Sequence, residues 1–275
     1  MELNSGDYAK FREYLRMSCG IELGDNKQYL VTSRMRKLLI SNKIENFSQL
    51  IDKLQAPSSS TLKQEVLDAM TTNETSWFRD RYPYDFLEKQ FFPQWQQDNL
   101  TKPARIWSAA CSTGQEPYSI SMIVSEINRL AVPSKRVSAN IVATDVSQSV
   151  LAAAKNGLFD QFSVMRGLTR DHLGRHFVAR ENESWQINQA LRSSIDFRLL
   201  NLQNDFSNLG QFDLIFCRNV LIYFSAELKK DILCRIRRLL QPGGLLFLGS
   251  SESITGAEEF FELMSCHPGL AFRAR

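Results

Sequence analysis

Over the first third of the chain, apolar side chains recur at helical spacing. Phe11, Tyr14, Leu15 and Cys19 predict one helix, ended by Gly20. A second amphipathic segment spans about Asn26 to Asn42, with Val31, Met35, Leu38 and Leu39 on one face. A third covers Phe47–Leu54 and stops at the Pro/Ser loop A-P-S-S-S, and a fourth runs from about Leu62 to Met70. From Arg105 onward the pattern changes. Short apolar runs at Arg105–Ala109, Ile141–Thr144, Ile195–Leu200, Phe212–Cys217 and Leu245–Leu248 predict strands, and helical signals fall between them. One such helix is Ala226–Leu240, with Ser225 placed to cap it and Pro242-Gly243-Gly244 to stop it. The tail from Phe260 to Arg275 is expected to add a pair of strands. Alternation of this kind implies a mostly parallel sheet covered by helices, with a ligand outside the carboxyl ends of its strands.

One stretch organises the rest: R-I-W-S-A-A-C-S-T-G-Q-E-P-Y, Arg105 to Tyr118. It reads as a strand, a loop of small residues, and a helix opening at Pro117, where a missing N–H costs nothing. The small side chains of Ala109, Ala110, Cys111, Ser112 and Gly114 let a ligand lie against the backbone. Only Gly114 matches a G-x-G-x-x-G fingerprint, so the loop suits a nucleoside better than a pyrophosphate.

Composition narrows the class. With 43% hydrophobic and 23% charged residues, the chain reads as a soluble globular protein. A net charge of +3 gives no argument for nucleic acid. No apolar run is long enough to span a membrane, and the opening M-E-L-N-S-G-D is not expected to be a signal peptide. Five scattered cysteines without C-x-x-C spacing imply free thiols in a reducing cytoplasm. The charge is uneven, however. Lys27, Arg34, Arg36, Lys37 and Lys43 fall in one segment that holds no acid. That is either a solvated basic face or a dock for an acidic macromolecule.

The predicted strand ends carry suitable chemistry. Asp145 closes the second strand, where an acid accepts hydrogen bonds from ribose hydroxyls, although it lies further along than dinucleotide spacing would put it. Asn201-Leu202 follows the third strand and can frame an adenine edge. Arg218-Asn219 follows the fourth and faces the reacting end of a ligand. Together they point to an adenosine-containing ligand such as S-adenosylmethionine.

Six stretches then carry a resemblance. N-E-T-S-W-F-R (Asn73–Arg79), W-S-A-A-C-S-T-G-Q-E-P-Y-S (Trp107–Ser119), A-T-D (Ala143–Asp145), N-L (Asn201-Leu202), C-R-N-V-L-I-Y-F (Cys217–Phe224) and L-Q-P-G-G-L-L-F-L-G-S-S-E (Leu240–Glu252) stand in the order found in the CheR family. The chain resembles these chemotaxis-receptor glutamate O-methyltransferases over essentially its whole length. The resemblance implies an all-α N-terminal domain (1–72) for receptor docking. It also implies an α/β domain (73–275) built on a Rossmann-like class I methyltransferase sheet, with a small antiparallel β-subdomain inserted at about 162–195. Phe177-Val178, the turn R-E-N-E-S and Trp185-Gln186-Ile187 read directly as a hairpin there.

Carried over by position, contacts to S-adenosylmethionine are implied for Asn73, Thr75 and Arg79. Glu116 is implied to hold the methionine ammonium group and Asp145 the ribose. Asn201 and Leu202 would lie at the adenine, with Arg218 and Asn219 beside the methionine. Arg79 and Tyr223 are implied as the residues nearest the chemistry, Arg79 orienting the acceptor and Tyr223 lying nearest the methyl. The implied partner is the helical cytoplasmic bundle of a chemoreceptor, docked by Lys27, Arg34, Arg36, Lys37 and Lys43. The implied location is the cytoplasm, and a monomer is expected, with no nucleic acid and no membrane insertion. The short R-E-N-E-S turn argues against the receptor-pentapeptide tether that some family members use. A catalytic arginine proposed for the family before the first strand has no match in F-F-P-Q-W-Q-Q-D-N-L-T-K-P.

Alternatives divide by residue. R-N-V-L stands where amino-group methyltransferases carry N-P-P-Y or D-P-P-Y, and no Pro-Cys exists for cytosine chemistry. A small-molecule O-methyltransferase and a non-catalytic cofactor-binding adaptor remain open. Trp77 and Phe78 alone also read as a core aromatic pair, and Tyr223 as a core tyrosine at a helix start. His172 and His176 read as ordinary surface histidines, not metal ligands, and Cys111 as a small packing residue.

Overall fold

The computed structural model describes residues 3–57, 59–98 and 102–275. Ser58 of the A-P-S-S-S loop, Met1-Glu2 and the N-L-T of the arginine-free stretch lie outside the described residues.

Four helices come first: α1 (Ser5–Cys19), α2 (Gln28–Ser41), α3 (Phe47–Gln55) and α4 (Ser60–Met70). Asn4 and Asn46 accept hydrogen bonds from the third residue beyond them, capping α1 and α3. The periodicity is realised: Phe11, Leu15 and Cys19 of α1 meet Val31, Met35, Leu38 and Leu39 of α2 in one core. Phe11 sets its ring edge-on to Phe47 at 6.4 Å between centroids.

A continuous helical stretch follows, α5 (Tyr82–Phe86), a π-helical turn at Leu87–Phe91 and α6 (Phe92–Asp98). The alternating half then runs β1 (Ala104–Ala109), α7 (Gln115–Leu130), β2 (Ala139–Asp145), α8 (Gln148–Asn156), β3 (Leu158–Asp160), α9 (Gln161–Met165), α10 (Arg170–His176), β4 (Phe177–Arg180), β5 (Ser184–Ile187), α11 (Gln189–Ser193), β6 (Ile195–Leu199), β7 (Phe212–Cys217), α12 (Ala226–Leu239), β8 (Leu240–Leu248), β9 (Phe261–Cys266) and β10 (Gly269–Ala274).

Seven strands form one sheet in the order β6-β2-β1-β7-β8-β10-β9. The first five pair in parallel, and β10 is antiparallel to both β8 and β9. This is the class I methyltransferase sheet. The strand order reverses between β1 and β7, which opens a crevice at their carboxyl ends. Residues Ile106 to Ala109 are all buried, as expected of a central strand covered on both faces. The order β3-β5-β4 makes a second, antiparallel sheet. It opens at Leu158, a little before the expected start of the inserted β-subdomain, because the segment after α8 returns to pair with β5.

Two local expectations shift. The helix expected to open at Pro117 begins at Gln115, and Pro117 still lies in its first turn, where no N–H has a partner within the helix. Pro242-Gly243-Gly244 does more than stop α12. It lies inside β8 as an irregularity between the Phe212–Leu240 and Leu214–Leu245 pairings.

The helical part is fastened directly to the sheet part. Asp68 of α4 accepts the backbone N–H groups of Gln148 and Ser149, both at 3.1 Å, capping α8 from outside its own segment. Asn201 donates to Ser18 O (2.6 Å), Gln203 donates to Arg16 O (3.0 Å), and Glu22 N donates to Tyr223 O (2.8 Å). Gly20, with φ +77°, ends α1 where a Cβ would stand 2.5 Å from Leu228, so only glycine suits both the turn and the contact.

Candidate functional site

A cleft of about 1180 Å³, open mouth included, lies at the carboxyl ends of β1, β2, β6 and β7. Its lining brings together Asn73, Thr75, Arg79, Glu116, Asp145, Asn201, Leu202, Arg218, Asn219 and Tyr223. These residues, spread over just more than half of the sequence, therefore share one cleft.

The loop after β1 forms the floor. Ala110 (φ +55°) and Ser112 (φ +51°) are non-glycine residues in left-handed conformation, each costing roughly 1 kcal/mol or more. Three hydrogen bonds hold them there. Cys111 N donates to Thr144 O (2.9 Å), Ser112 N to Asp145 Oδ2 (2.9 Å) and Ser112 Oγ to Asn73 O (3.0 Å). Cys111 is buried, and burial beside Asp145 and Glu116 pushes its thiol well above the usual range. It is a packing thiol, poorly suited to redox reaction.

Asp145 ends β2 and is 6% exposed. Its Oδ1 accepts the Ser147 N–H and its Oδ2 the Ser112 N–H, both at 2.9 Å. Burial raises its pKa, and these backbone donors oppose the rise. Each oxygen keeps a free lone pair, enough for a vicinal diol.

Glu116 projects from the first turn of α7. Oε1 accepts from Ser108 Oγ (2.7 Å) and Oε2 from Arg218 Nη1 (3.1 Å). Burial pushes its pKa up, opposed by Arg218, Ser108 and Arg79. The Arg218 side chain is 2% exposed. Its Nη2 reaches Asp80 Oδ2 (2.7 Å) and Arg79 O (2.9 Å), while its buried Nε has no partner among the described residues. Burial would lower the Arg218 pKa, but Tyr84, Glu116 and Asp80 outweigh that and hold it further up, so the guanidinium stays charged. Asp80 was missed in the sequence. The only signal was an acid directly after N-E-T-S-W-F-R.

Asn219 sits at φ +60° with its N–H on Glu252 Oε2 (2.6 Å), which also accepts the Gly249 N–H (2.7 Å). Glu252 Oε1 takes the Ile222 N–H at 3.3 Å. Glu252 closes the last matched stretch, yet nothing in its neighbours' spacing announced that it braces the β7 loop. Tyr223 is half-buried in a one-turn 3-10 helix, Leu221–Tyr223, two residues before Ser225 caps α12. It is thus a wall residue of the cleft, not a core tyrosine at a helix start. Arg79 is half-buried, donates to Glu74 O (3.3 Å), and makes no ion pair among the described residues.

Three expectations are modified by the structure. The Asn201 side chain lines the cleft but is already partly engaged. Its Nδ2 bonds Ser18 O, and its Oδ1 accepts Gln203 N (3.0 Å), so it ties α1 to the end of β6. Lys27, Arg36, Lys37 and Lys43 are exposed, but Arg34 faces inward and lines the cleft. His172 and His176 are not ordinary surface histidines. His176 is 4% exposed and bonded to Glu126 (2.9 Å), and His172 stacks on Phe78 at 4.8 Å. No metal-binding cluster is found among the described residues.

Trp77 is a core residue, while its neighbours Asn73, Thr75 and Arg79 line the cleft. Trp77, 1% exposed, plugs edge-on against Phe159 (4.9 Å) and Phe177 (5.4 Å), and its Nε1 donates to Ser163 O (3.1 Å). Gly167 (φ +117°) passes so close that a Cβ would stand 2.2 Å from Trp77 O. The plug anchors the segment whose Asn73, Thr75 and Arg79 face the cleft.

The donor set fits S-adenosylmethionine. Buried carboxylates suit a ribose diol and an ammonium group, the unpartnered Arg218 Nε suits a carboxylate, and Leu200, Leu202 and Val146 offer apolar contact to a base.

Comparison with known proteins agrees. The profile of the CheR methyltransferase SAM binding domain matches residues 73–270, and that of the CheR methyltransferase all-alpha domain matches residues 6–71. The chain is 45% identical over 275 residues to the chemotaxis protein methyltransferase Cher2 of Pseudomonas putida, covering 100% of both chains. It is 46% identical, with the same coverage, to chemotaxis protein methyltransferase 1 of Pseudomonas aeruginosa. To the chemotaxis protein methyltransferase of Vibrio parahaemolyticus it is 39% identical, over 99% of this chain and 98% of that one.

Proposed function

The chain belongs to the CheR family of S-adenosylmethionine-dependent chemotaxis methyltransferases, and we propose that it methylates glutamate carboxylates on chemoreceptor cytoplasmic domains. The product is a glutamate methyl ester that serves chemotactic adaptation. The observation that carries the reading is the lack of an unengaged base among the described residues of the cleft. Asp145 and Glu116 are buried and hydrogen-bonded, Glu74 at the mouth is paired with Arg166 (2.9 Å), and neither histidine nor lysine is in the lining. A hydroxyl or ammonium acceptor must lose a proton before or during attack. A glutamate carboxylate is already ionised near neutral pH and needs no base. This argument favours a carboxylate over a small-molecule alcohol.

The cofactor supplies an activated methyl on a sulfonium, with a neutral thioether as leaving group. Asn73, Thr75, Asp145, Leu202 and Asn219 would hold the adenosyl and methionine portions, and Glu116 would take the ammonium. Arg218 fixes Glu116 and the Arg79-Asp80 turn together. Arg79, which has no ion-pair partner among the described residues, would orient the incoming carboxylate. With the cofactor bound, that carboxylate would accept the methyl group, a C–O bond replacing the C–S bond and the electron pair staying with sulfur. Charge is neutralised along this path, so a rigid bidentate clamp on the ground-state carboxylate would slow it. The single Arg79, held only by a 3.3 Å hydrogen bond to Glu74 O, suits positioning without over-binding. Tyr223, in the wall of the cleft, would lie against the cationic sulfur and methyl.

Residues 1–72 form the docking domain, with Lys27, Arg36, Lys37 and Lys43 presented to the acidic helical bundle, and residues 73–275 form the methyltransferase domain. The three-residue turn between β4 and β5 gives little surface for a receptor pentapeptide, so docking proceeds without a tether by a cytoplasmic monomer. Among the described residues no helix is long and apolar enough to cross a membrane. The test is peptide mapping by mass spectrometry of a receptor cytoplasmic fragment after reaction. Methyl groups confined to glutamates are expected. Methyl groups on lysine, asparagine or serine would refute the proposal.

A further inference from the structure

Arg34 belongs to the basic segment by sequence but not by placement. Its Nη1 donates to Met70 O (2.5 Å) and Thr71 O (3.2 Å), and its Nη2 to Thr72 Oγ1 (3.0 Å). Met70 ends α4, a helix with no basic residue in its last turn, so its terminal carbonyls lack a local cation. Arg34 supplies that cation from α2. The next residue, Asn73, is held on its other side by Ser112 Oγ from the loop after β1. The segment from Met70 to Asn73 is therefore pinned between the helical domain and the cofactor floor, and all of it lines the cleft with Arg34. On the outer side of the same helix, Arg36 and Lys37 are exposed beside Ile40.

We propose that Arg34 is a positioning residue of the cofactor cleft, fastening the docking helix α2 to the segment that carries Asn73 and Thr75. The inference rests on the cofactor and docking assignments above and goes beyond them by linking the two. An acceptor seated on α2 stabilises one placement of that helix. Through the Arg34 fork, the same placement sets the wall of the cleft. Linkage is reciprocal, so cofactor occupancy strengthens acceptor binding by the factor by which the acceptor strengthens cofactor binding. A lysine keeps the charge but cannot span two carbonyls and a hydroxyl with a planar fork.

The test is calorimetric titration of the full chain with S-adenosylhomocysteine, with and without receptor cytoplasmic fragment, alongside thermal melts without ligand. R34A is expected to bind about tenfold more weakly, the size of one lost charge-assisted hydrogen bond. R34K is expected to fall between R34A and the wild type. R36E/K37E is expected to bind the ligand within about twofold of wild type while raising the acceptor KM. Wild type should gain affinity when the receptor fragment is present, and R34K should gain less. If R34A does not fold, R34K alone carries the test. Binding by R34A and R34K within about twofold of wild type would overturn the proposal, as would a lower melting midpoint in R34A with unchanged affinity, which marks a mere brace. Failure of the wild type to bind at all would instead sink the cofactor assignment on which this inference stands.

Discussion

Asp145 and Glu116 are acids kept in the interior, and burial holds both above the ordinary carboxylate range. Only the ionised form of Glu116 can pair with an ammonium group, so cofactor binding releases whatever proton Glu116 carries. Affinity should therefore fall as pH drops toward the raised Glu116 value, beginning higher than the 4.5 of an ordinary glutamate. S-adenosylhomocysteine titrations from pH 8 down to pH 5 should show this loss, and Glu116→Gln should bind weakly with the pH dependence largely gone. An equal slope in both proteins would assign the titration elsewhere. Trp77 makes a different prediction. Removing a ring packed among Phe159, Phe177 and Tyr118 leaves a cavity, and Trp77→Ala should cost about 3–5 kcal/mol in denaturant unfolding. Arg79→Ala and Tyr223→Phe should instead lower turnover while leaving the melting transition in place, because neither side chain is buried in the core.

Strands and helices differ in how they meet. Arg218, at the end of β7, joins α7 through Glu116 to the turn before α5 through Asp80. Removing one member of a buried charged cluster leaves the others without compensation, so Arg218→Ala should lose about 3–5 kcal/mol of stability. Asp68 caps α8 across the boundary between the helical and sheet parts. Asp68→Ala should cost about 1 kcal/mol, the usual worth of an N-cap, seen as a lower urea midpoint with an unchanged slope. These are the contacts the chain hid. Periodicity made α1, α2 and the parallel strands legible, since each follows from residues close in sequence. Asp145 was legible as the acid closing β2 because polar chemistry at a sheet crevice has few uses, whereas Glu116 came only from the family resemblance. Asp80, Glu252 and the inward turn of Arg34 were not, because each acts on a partner distant in sequence that only the folded arrangement supplies. Asn201 misled for the same reason: a polar residue at a strand end looked free until α1 arrived to occupy it.

Taken as a whole, the molecule carries a net charge of only +3, and Lys27, Arg36, Lys37 and Lys43 are exposed on and beside α2. Charge there should act mainly on encounter and on acceptor KM. R36E/K37E should raise the acceptor KM about tenfold at low ionic strength, and the difference should shrink as salt shortens the screening length. A salt-independent effect would show that the face acts by shape and not by charge. The central claim is that the acceptor is a carboxylate, because the carboxylates among the described residues of the cleft are already engaged, Glu74 with Arg166 and the other two by buried hydrogen bonds. The most direct measurement is transfer from methyl-labelled S-adenosylmethionine to a chemoreceptor cytoplasmic fragment, followed by mild alkali. Release of the label as volatile methanol is predicted, since only a methyl ester hydrolyses that way. Label that survives alkali would mean methylation at nitrogen or carbon and would contradict the account.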